Sequence, residues 1–315
     1  MTRQSPPPGP WDRSKRPGPR GPGAQREPAR TPRSDTAASP YAGFAHASST
    51  HAGSLHASSA HADAEPAQPT SEKPPRELRL YGLNAVRAVF ARRPQAIRKL
   101  YLSQARIPTL QPLLAWCVAH RIGYRVVEDA DLQKLAASSH HEGVVADVMR
   151  DEPASMSNWL RDLPAGPQLA IWLDGVGNPH NLGAILRSSA HFGVGAVLLP
   201  KHSPLAVSGA AARVAEGGAE IVPLLRMGRS DNAIAQLRGA GFVLAATVVQ
   251  GGNALFATPL PERVVFVLGA EGEGMDHDLA AACDLRLSIP GTGAVESLNV
   301  AAATAVLLAA WCARR

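Results

Sequence analysis

Residues able to do chemistry gather in three glycine-rich stretches of this 315-residue chain. In NPHNLGAILRSSAHFG, which starts at Asn178, Arg187 stands six residues beyond Asn181 among small and apolar neighbours. A guanidinium in that company needs a partner, and its planar fork of donors suits a phosphate or a carboxylate. In GAEGEGM, Glu271 and Glu273 sit between Gly269, Gly272 and Gly274. In IPGTGAVESLNV, Glu296, Ser297 and Asn299 stand at the mouth of an Ala-rich apolar run. Glycine lets backbone amides approach a ligand closely, and carboxylates suit a ligand that carries hydroxyls and positive charge.

Each stretch also has a plain account. A Gly-rich segment can be a tight turn, Asn178 or Asn181 can cap a helix start, and Ser297 can cap the last helix. Asn299 falls inside the first turn of that expected helix, where Asn is a poor helix former. The spacing around Glu271 does not fit GxGxxG, and two carboxylates would repel a pyrophosphate; no GxxxxGK[ST] is present either. Cys117, Cys283 and Cys312 are far apart and form no CxxC, which argues against a metal site or a disulfide framework. S-adenosylmethionine, with ribose hydroxyls, an ammonium and a sulfonium, matches the remaining chemistry.

The elements that must position these residues read as alternating α and β. A strand ending at Asp174, a helix carrying Arg187 and a strand from Ala196 to Leu199 form one strand–helix–strand unit. Beyond it come a helix from Ala210 to Glu216, a strand AEIVPL, a helix DNAIAQLRGAG, strands FVLAATVV, VVFVLG and LRLSIPG, and a last helix from about Ser297 to Arg314. Apolar strands flanked by helices predict a mostly parallel sheet covered on both faces, with ligands outside its carboxyl ends. Residues 77–150 alternate in the same way and predict a smaller α/β domain, joined by a Pro-containing linker over 151–168 to a domain over 169–315. Arg87, Arg92, Arg93, Arg98, Lys99 and Arg106 of the smaller domain suit an RNA-touching surface or an ordinary solvated face.

Residues 1–76 have a different composition. Eight basic residues against three acidic ones, interleaved with Pro and Gly, fill the first 35 positions, and His46, His51, His56 and His61 recur every five residues. Such a tail is expected to be disordered, serving as a basic arm for phosphates or as a solubilising segment. The formal charge of +6 suits a polyanion partner. Few aromatics, at 5%, make base stacking on exposed rings an unlikely main mode. Nothing resembles a membrane span, and the three unpaired cysteines fit a reducing, cytoplasmic setting.

Taken together, the three stretches resemble the motifs of the SpoU/TrmH family of RNA ribose methyltransferases, in that family's order and spacing. YGLNAVRAVF and HHEGVVA resemble the family's amino-terminal substrate-binding domain. The resemblance implies a SPOUT-type fold with a C-terminal trefoil knot, an L30e-like domain before it, and a homodimer through the SPOUT domain. It implies S-adenosylmethionine as methyl donor and a tRNA or rRNA substrate. Asn181, Arg187, Ser297 and Asn299 match the catalytic positions, while Gly269, Glu271, Ile289 and Leu298 match the positions that cradle the donor. A Ser that members carry near Ala215 is missing here. The family's account makes Arg187 the base; a guanidinium holds its proton to a pKa above about 12, which favours a phosphate clamp and leaves the proton's destination open. An RNA-binding protein with a vestigial site is the alternative.

Overall fold

The computed structural model describes residues 77–150, 154–270, 272 and 274–314. The expected basic tail with its histidine repeat, and Glu271, lie outside the described residues. The described residues all fall within one compact unit built on two sheets.

The smaller sheet contains β1 (Glu77–Tyr81), β2 (Ile97–Leu102), β3 (Gly123–Val126) and β4 (Val144–Met149), in the order β1-β4-β2-β3. β4 runs antiparallel to β1 and β2, and β3 is parallel to β2 at the edge. Alternation sets its faces: Leu100 and Leu102 point into the core with Leu78 and Leu80, whereas Tyr101 faces the other side. Helices α1 (Leu83–Arg92) and α2 (Gln111–Ala119) bury Ala85, Val86, Val89, Leu113 and Cys117 on that core. α3 (Asp129–Ala136) covers the opposite face through Leu132.

The larger sheet has seven strands: β5 (Gln168–Leu173), β6 (Ala196–Leu199), β7 (Leu224–Arg226), β8 (Val243–Thr247), β9 (Asn253–Ala254), β10 (Arg263–Leu268) and β11 (Leu285–Ser288). Their order is β7-β6-β5-β10-β8-β11-β9, and every pairing is parallel. Both faces are buried, which is why β5, β6 and β10 read as unbroken apolar runs. On one face Ile171, Leu173, Val197 and Phe266 meet α5 (Pro179–Phe192) and α9 (Val300–Cys312). On the other, Trp172, Leu198, Leu244 and Val267 meet α4 (Met156–Arg161), α7 (Ser230–Gly239) and α8 (His277–Ala282). The chain leaves β8 for the far edge at β9, returns to β10 beside β5, and inserts β11 between β8 and β9. α9 is then fastened to the segment before β10: Trp311 Nε1 donates to Pro261 O at 2.9 Å and Arg314 Nη2 to Leu255 O at 2.9 Å.

Two expectations need correction. AEIVPL is not a strand: Gly218–Glu220 form a 3₁₀ turn and β7 begins only at Leu224. Glu220 is held in a half-buried ion pair with Arg93, Nε to Oε2 at 2.6 Å, so this stretch is bent toward the smaller sheet. The 151–168 segment is more than a connector, because α4, capped by Ser155 Oγ accepting from Asn158 N, buries Met156 under the sheet.

A helix shared by both layers joins the two sheets. α6 (Gly209–Ala215) places Ala212 in the core of the smaller sheet and Ala211 and Ala215 in that of the larger one. Gly209 must be glycine here, since a Cβ would lie 2.6 Å from Arg79 O.

Candidate active site

The carboxyl ends of β8, β10 and β11 open onto one cavity of about 410 Å³, within the range of small-molecule sites. Gly269, Ile289, Ser297 and Leu298 all line it, joined by Thr247 and Glu296. β10 delivers Gly269 directly, and the loop behind it closes on itself: Ala270 N donates to Gly274 O at 2.8 Å and Gly274 N to Ala270 O at 3.0 Å. Gly272 and Gly274 take φ of 90° and 79°, where other residues are strained. At Gly269 a Cβ would lie 2.4 Å from Gly274 C, so only glycine admits this backbone cradle. The loop is also tied to the end of β5, because Asp276 N donates to Asp174 Oδ2 at 3.0 Å while Asp276 Oδ1 caps α8.

Beside the cavity two amides join the first and third stretches. Asn299 Nδ2 donates to Asn181 Oδ1 at 3.1 Å, and Asn299 Oδ1 accepts from Ala301 N at 2.9 Å. Asn299 is therefore the N-cap of α9, not a residue of its first turn, and Ser297 lies ahead of the helix on the cavity wall. Asn178 caps α5 by accepting from His180 N at 2.8 Å, which leaves the buried Asn181 to meet Asn299.

Arg187 departs from expectation. It is exposed, on the face of α5 turned from the apolar core, and does not line the cavity. Among the described residues it makes no hydrogen bond or ion pair. What lies against it is the turn after α6, where a Cβ on Gly218 would fall 3.1 Å from Arg187 Cα. An exposed guanidinium fork of this kind can receive a phosphate. The missing Ser has a structural counterpart: Ala215 is buried at the end of α6, where an added hydroxyl would need a partner.

The basic residues of the smaller sheet divide. Arg93 is taken by Glu220 and by Met149 O, and Arg106 Nε donates to Glu142 O at 2.6 Å. Lys99 lies over the Tyr101 ring at 4.9 Å, while Arg92 and Arg98 are exposed. Sequence reasoning missed a cluster at the joint between the sheets, comprising Asn84, Glu142, Arg213 and Glu216. Apart from Arg213 and Glu216, three residues apart at the end of α6, its members come from distant segments, so no spacing rule marks the whole. Among the described residues no helix is long and apolar enough to cross a membrane, and no group of His, Cys, Asp and Glu could hold a metal ion.

Residues 168–309 match the model of the SpoU rRNA Methylase family, and residues 79–154 that described as RNA 2'-O ribose methyltransferase substrate binding. The uncharacterized tRNA/rRNA methyltransferase YfiF of Escherichia coli O157:H7 is 40% identical over 236 residues, 75% of this chain and 68% of that one. The 23S rRNA (guanosine-2'-O-)-methyltransferase RlmB of Pseudomonas syringae is 33% identical over 233 residues, 73% of this chain and 93% of that one. Among solved structures, the AdoMet-bound rRNA methyltransferase from Sinorhizobium meliloti shares the fold, with a TM-score of 0.63 and 24% identity over 76% of this chain and 88% of that one. A putative RNA methyltransferase of the TrmH family from Porphyromonas gingivalis gives a TM-score of 0.61 with 26% identity over 76% of this chain and 91% of that one.

Proposed function

The chain belongs to the SpoU methylase family, and from that premise we propose that it transfers a methyl group from S-adenosylmethionine to a ribose 2'-hydroxyl in structured RNA, a tRNA or an rRNA. The observation that carries the reading is the glycine-only cradle at Gly269 opening on a cavity lined by Ile289, Ser297 and Leu298. A flat, hydroxyl-bearing cation fits backbone carbonyls and amides better than it fits bulky side chains. The bound donor supplies an electrophilic methyl on sulfonium. Gly269, Ile289 and Leu298 hold it through backbone groups, and the Glu271 carboxylate offsets its positive charge.

The ribose hydroxyl is a weak nucleophile that must lose its proton as attack proceeds, and it must be aligned. Arg187, exposed and charged, grips the RNA phosphate beside the target ribose and so fixes that alignment. Asn181 and Asn299 keep α5 and α9 in register, which keeps the Arg187 helix and the Ser297 loop at a constant separation. The smaller sheet serves as an L30e-like RNA-binding domain preceding a SPOUT domain over 169–315. A C-terminal trefoil knot is supported by the return of the chain to β10 and by the fastening of α9 onto residues 255–261. A homodimer through the SPOUT domain in the cytoplasm completes the proposal.

Mapping 2'-O-methyl positions in total RNA with and without the protein tests the activity; loss of one site on removal is expected, and an unchanged map overturns it in favour of a binding protein with an idle site. Arg187→Ala should abolish transfer while leaving donor affinity within about twofold, since the clamp touches RNA alone. Turnover retained by that variant removes Arg187 from the mechanism.

A further inference from the structure

The cluster at the joint between the two sheets is built from charges that meet one another in pairs. Glu142, from the loop before β4, accepts from Arg213 Nη2 at 2.5 Å through Oε1 and from Leu83 N at 2.8 Å through Oε2, so it also caps α1. Arg213 bonds Glu216 as well. The second oxygen of Glu216 accepts from Asn84 Nδ2 of α1 at 2.5 Å. Glu142 and Glu216 are both held at left-handed φ, 53° and 52°, without being glycine. Strained backbone of this kind persists where surrounding contacts over-determine it, and it often marks a functional constraint.

Glu216 is also where the joint meets α5. Gly217 and Gly218 follow it at once, and a Cβ on Gly218 would strike Leu186 O at 2.7 Å and crowd Arg187 Cα. The turn is thus locked against the backbone of the Arg187 segment, with its carboxylate anchored to the RNA-binding side. The electrostatics agree. The Asn84 amide first, then the Arg213 and Arg187 guanidiniums, hold the Glu216 carboxyl below its usual range against the opposing effect of burial. Glu216 is therefore held as an anion two residues ahead of the Gly218 contact with the Arg187 backbone.

We propose that Glu216 is a positioning residue for Arg187: through Asn84 and Arg213 it fixes the arginine's place relative to the RNA-binding sheet, so that docked RNA presents its phosphate where the guanidinium stands. This rests on the reading of Arg187 as the phosphate clamp. A joint that merely held two layers together would need no glycine turn seated between them, with Gly217 against Ala88 and Asn84 of α1 and Gly218 against Leu186 and Arg187 of α5.

The test uses the full-length protein with RNA and donor both saturating. Glu216→Gln keeps the side chain's shape and one acceptor oxygen but removes the charge. It should lower kcat about tenfold, a modest misplacement of a reacting group, while donor affinity stays within about twofold and the melting temperature within about 3 °C. Glu142→Gln, which loosens the same joint but lies outside the turn packed on α5, should raise KM for RNA and leave kcat within about twofold. An unchanged kcat in Glu216→Gln, or equal kcat losses in both variants, overturns the proposal. If Glu216→Gln does not fold, Asn84→Ala replaces it, with a fall in kcat expected and an unchanged kcat counting against. Arg187→Ala separates the two levels: turnover retained there defeats the clamp reading itself, whereas an inactive Arg187→Ala beside an unimpaired Glu216→Gln defeats only this inference.

Discussion

The Asn181 and Asn299 pair shows how much one side chain can be asked to do. Asn299 spends its oxygen on the first amides of α9 and its nitrogen on Asn181, so capping and positioning are carried by a single residue. Asn299→Ala removes both, a loss of about 1 kcal/mol for the cap and about 1 kcal/mol for the hydrogen bond to Asn181. Asn299→Ser separates the two roles, since serine caps well but is too short to reach Asn181. We expect denaturant midpoints to fall clearly for Asn299→Ala and little for Asn299→Ser, with donor binding weakened in both. Full donor affinity in the serine variant would reduce Asn299 to a cap. The sequence made Asn299 suspicious because Asn is a poor helix former, yet started the helix about three residues early, near Ser297 where α9 begins at Val300. Arg187 was legible as a cation wanting a partner, but its exposure was not, because the outward face of α5 depends on where α6, α9 and the sheet pack.

At the scale of elements, periodicity served well wherever burial was symmetrical. β6 was readable to the residue because all four of its positions are buried. AEIVPL failed for a tertiary reason: Glu220 is drawn to Arg93, 127 residues earlier, with side-chain exposures of only 14% and 10% for the pair. No local propensity encodes such a partner. Removing Glu220 should be costly, since the Arg93 guanidinium would lose its counter-charge in a largely desolvated place. Glu220→Ala is expected to destabilise by about 3 kcal/mol in urea unfolding, whereas Arg93→Met combined with Glu220→Leu recovers most of the loss. A single variant near neutrality would mean that the pair is solvated and that the bend of 218–223 has another origin. α4 escaped notice because six residues flanked by prolines carry too little periodicity to outweigh their breakers.

Over the whole molecule, the predicted division into a smaller domain, a linker and a larger domain meets a joint of a different character. α6 contributes alanines to both cores, Arg93 reaches from just beyond α1 to Glu220, and Arg150 Nη1 donates to Val207 O at 3.0 Å. Two layers sharing a helix and a half-buried ion pair cannot lose one core without exposing part of the other. Unfolding of residues 77–314 should therefore be one cooperative transition. Amide exchange offers the measurement, because the central strands β4 and β10 belong to different sheets and each reports its own opening free energy. The two should match. Donor held at about a hundredfold excess over its dissociation constant should raise both by the same amount, about 2.7 kcal/mol, although its cavity touches only the larger sheet. Protection that rises in β10 alone would show the smaller sheet opening independently. The joint would then be a hinge, and the fixed distance between the RNA-binding sheet and Arg187 would have to be set by RNA itself.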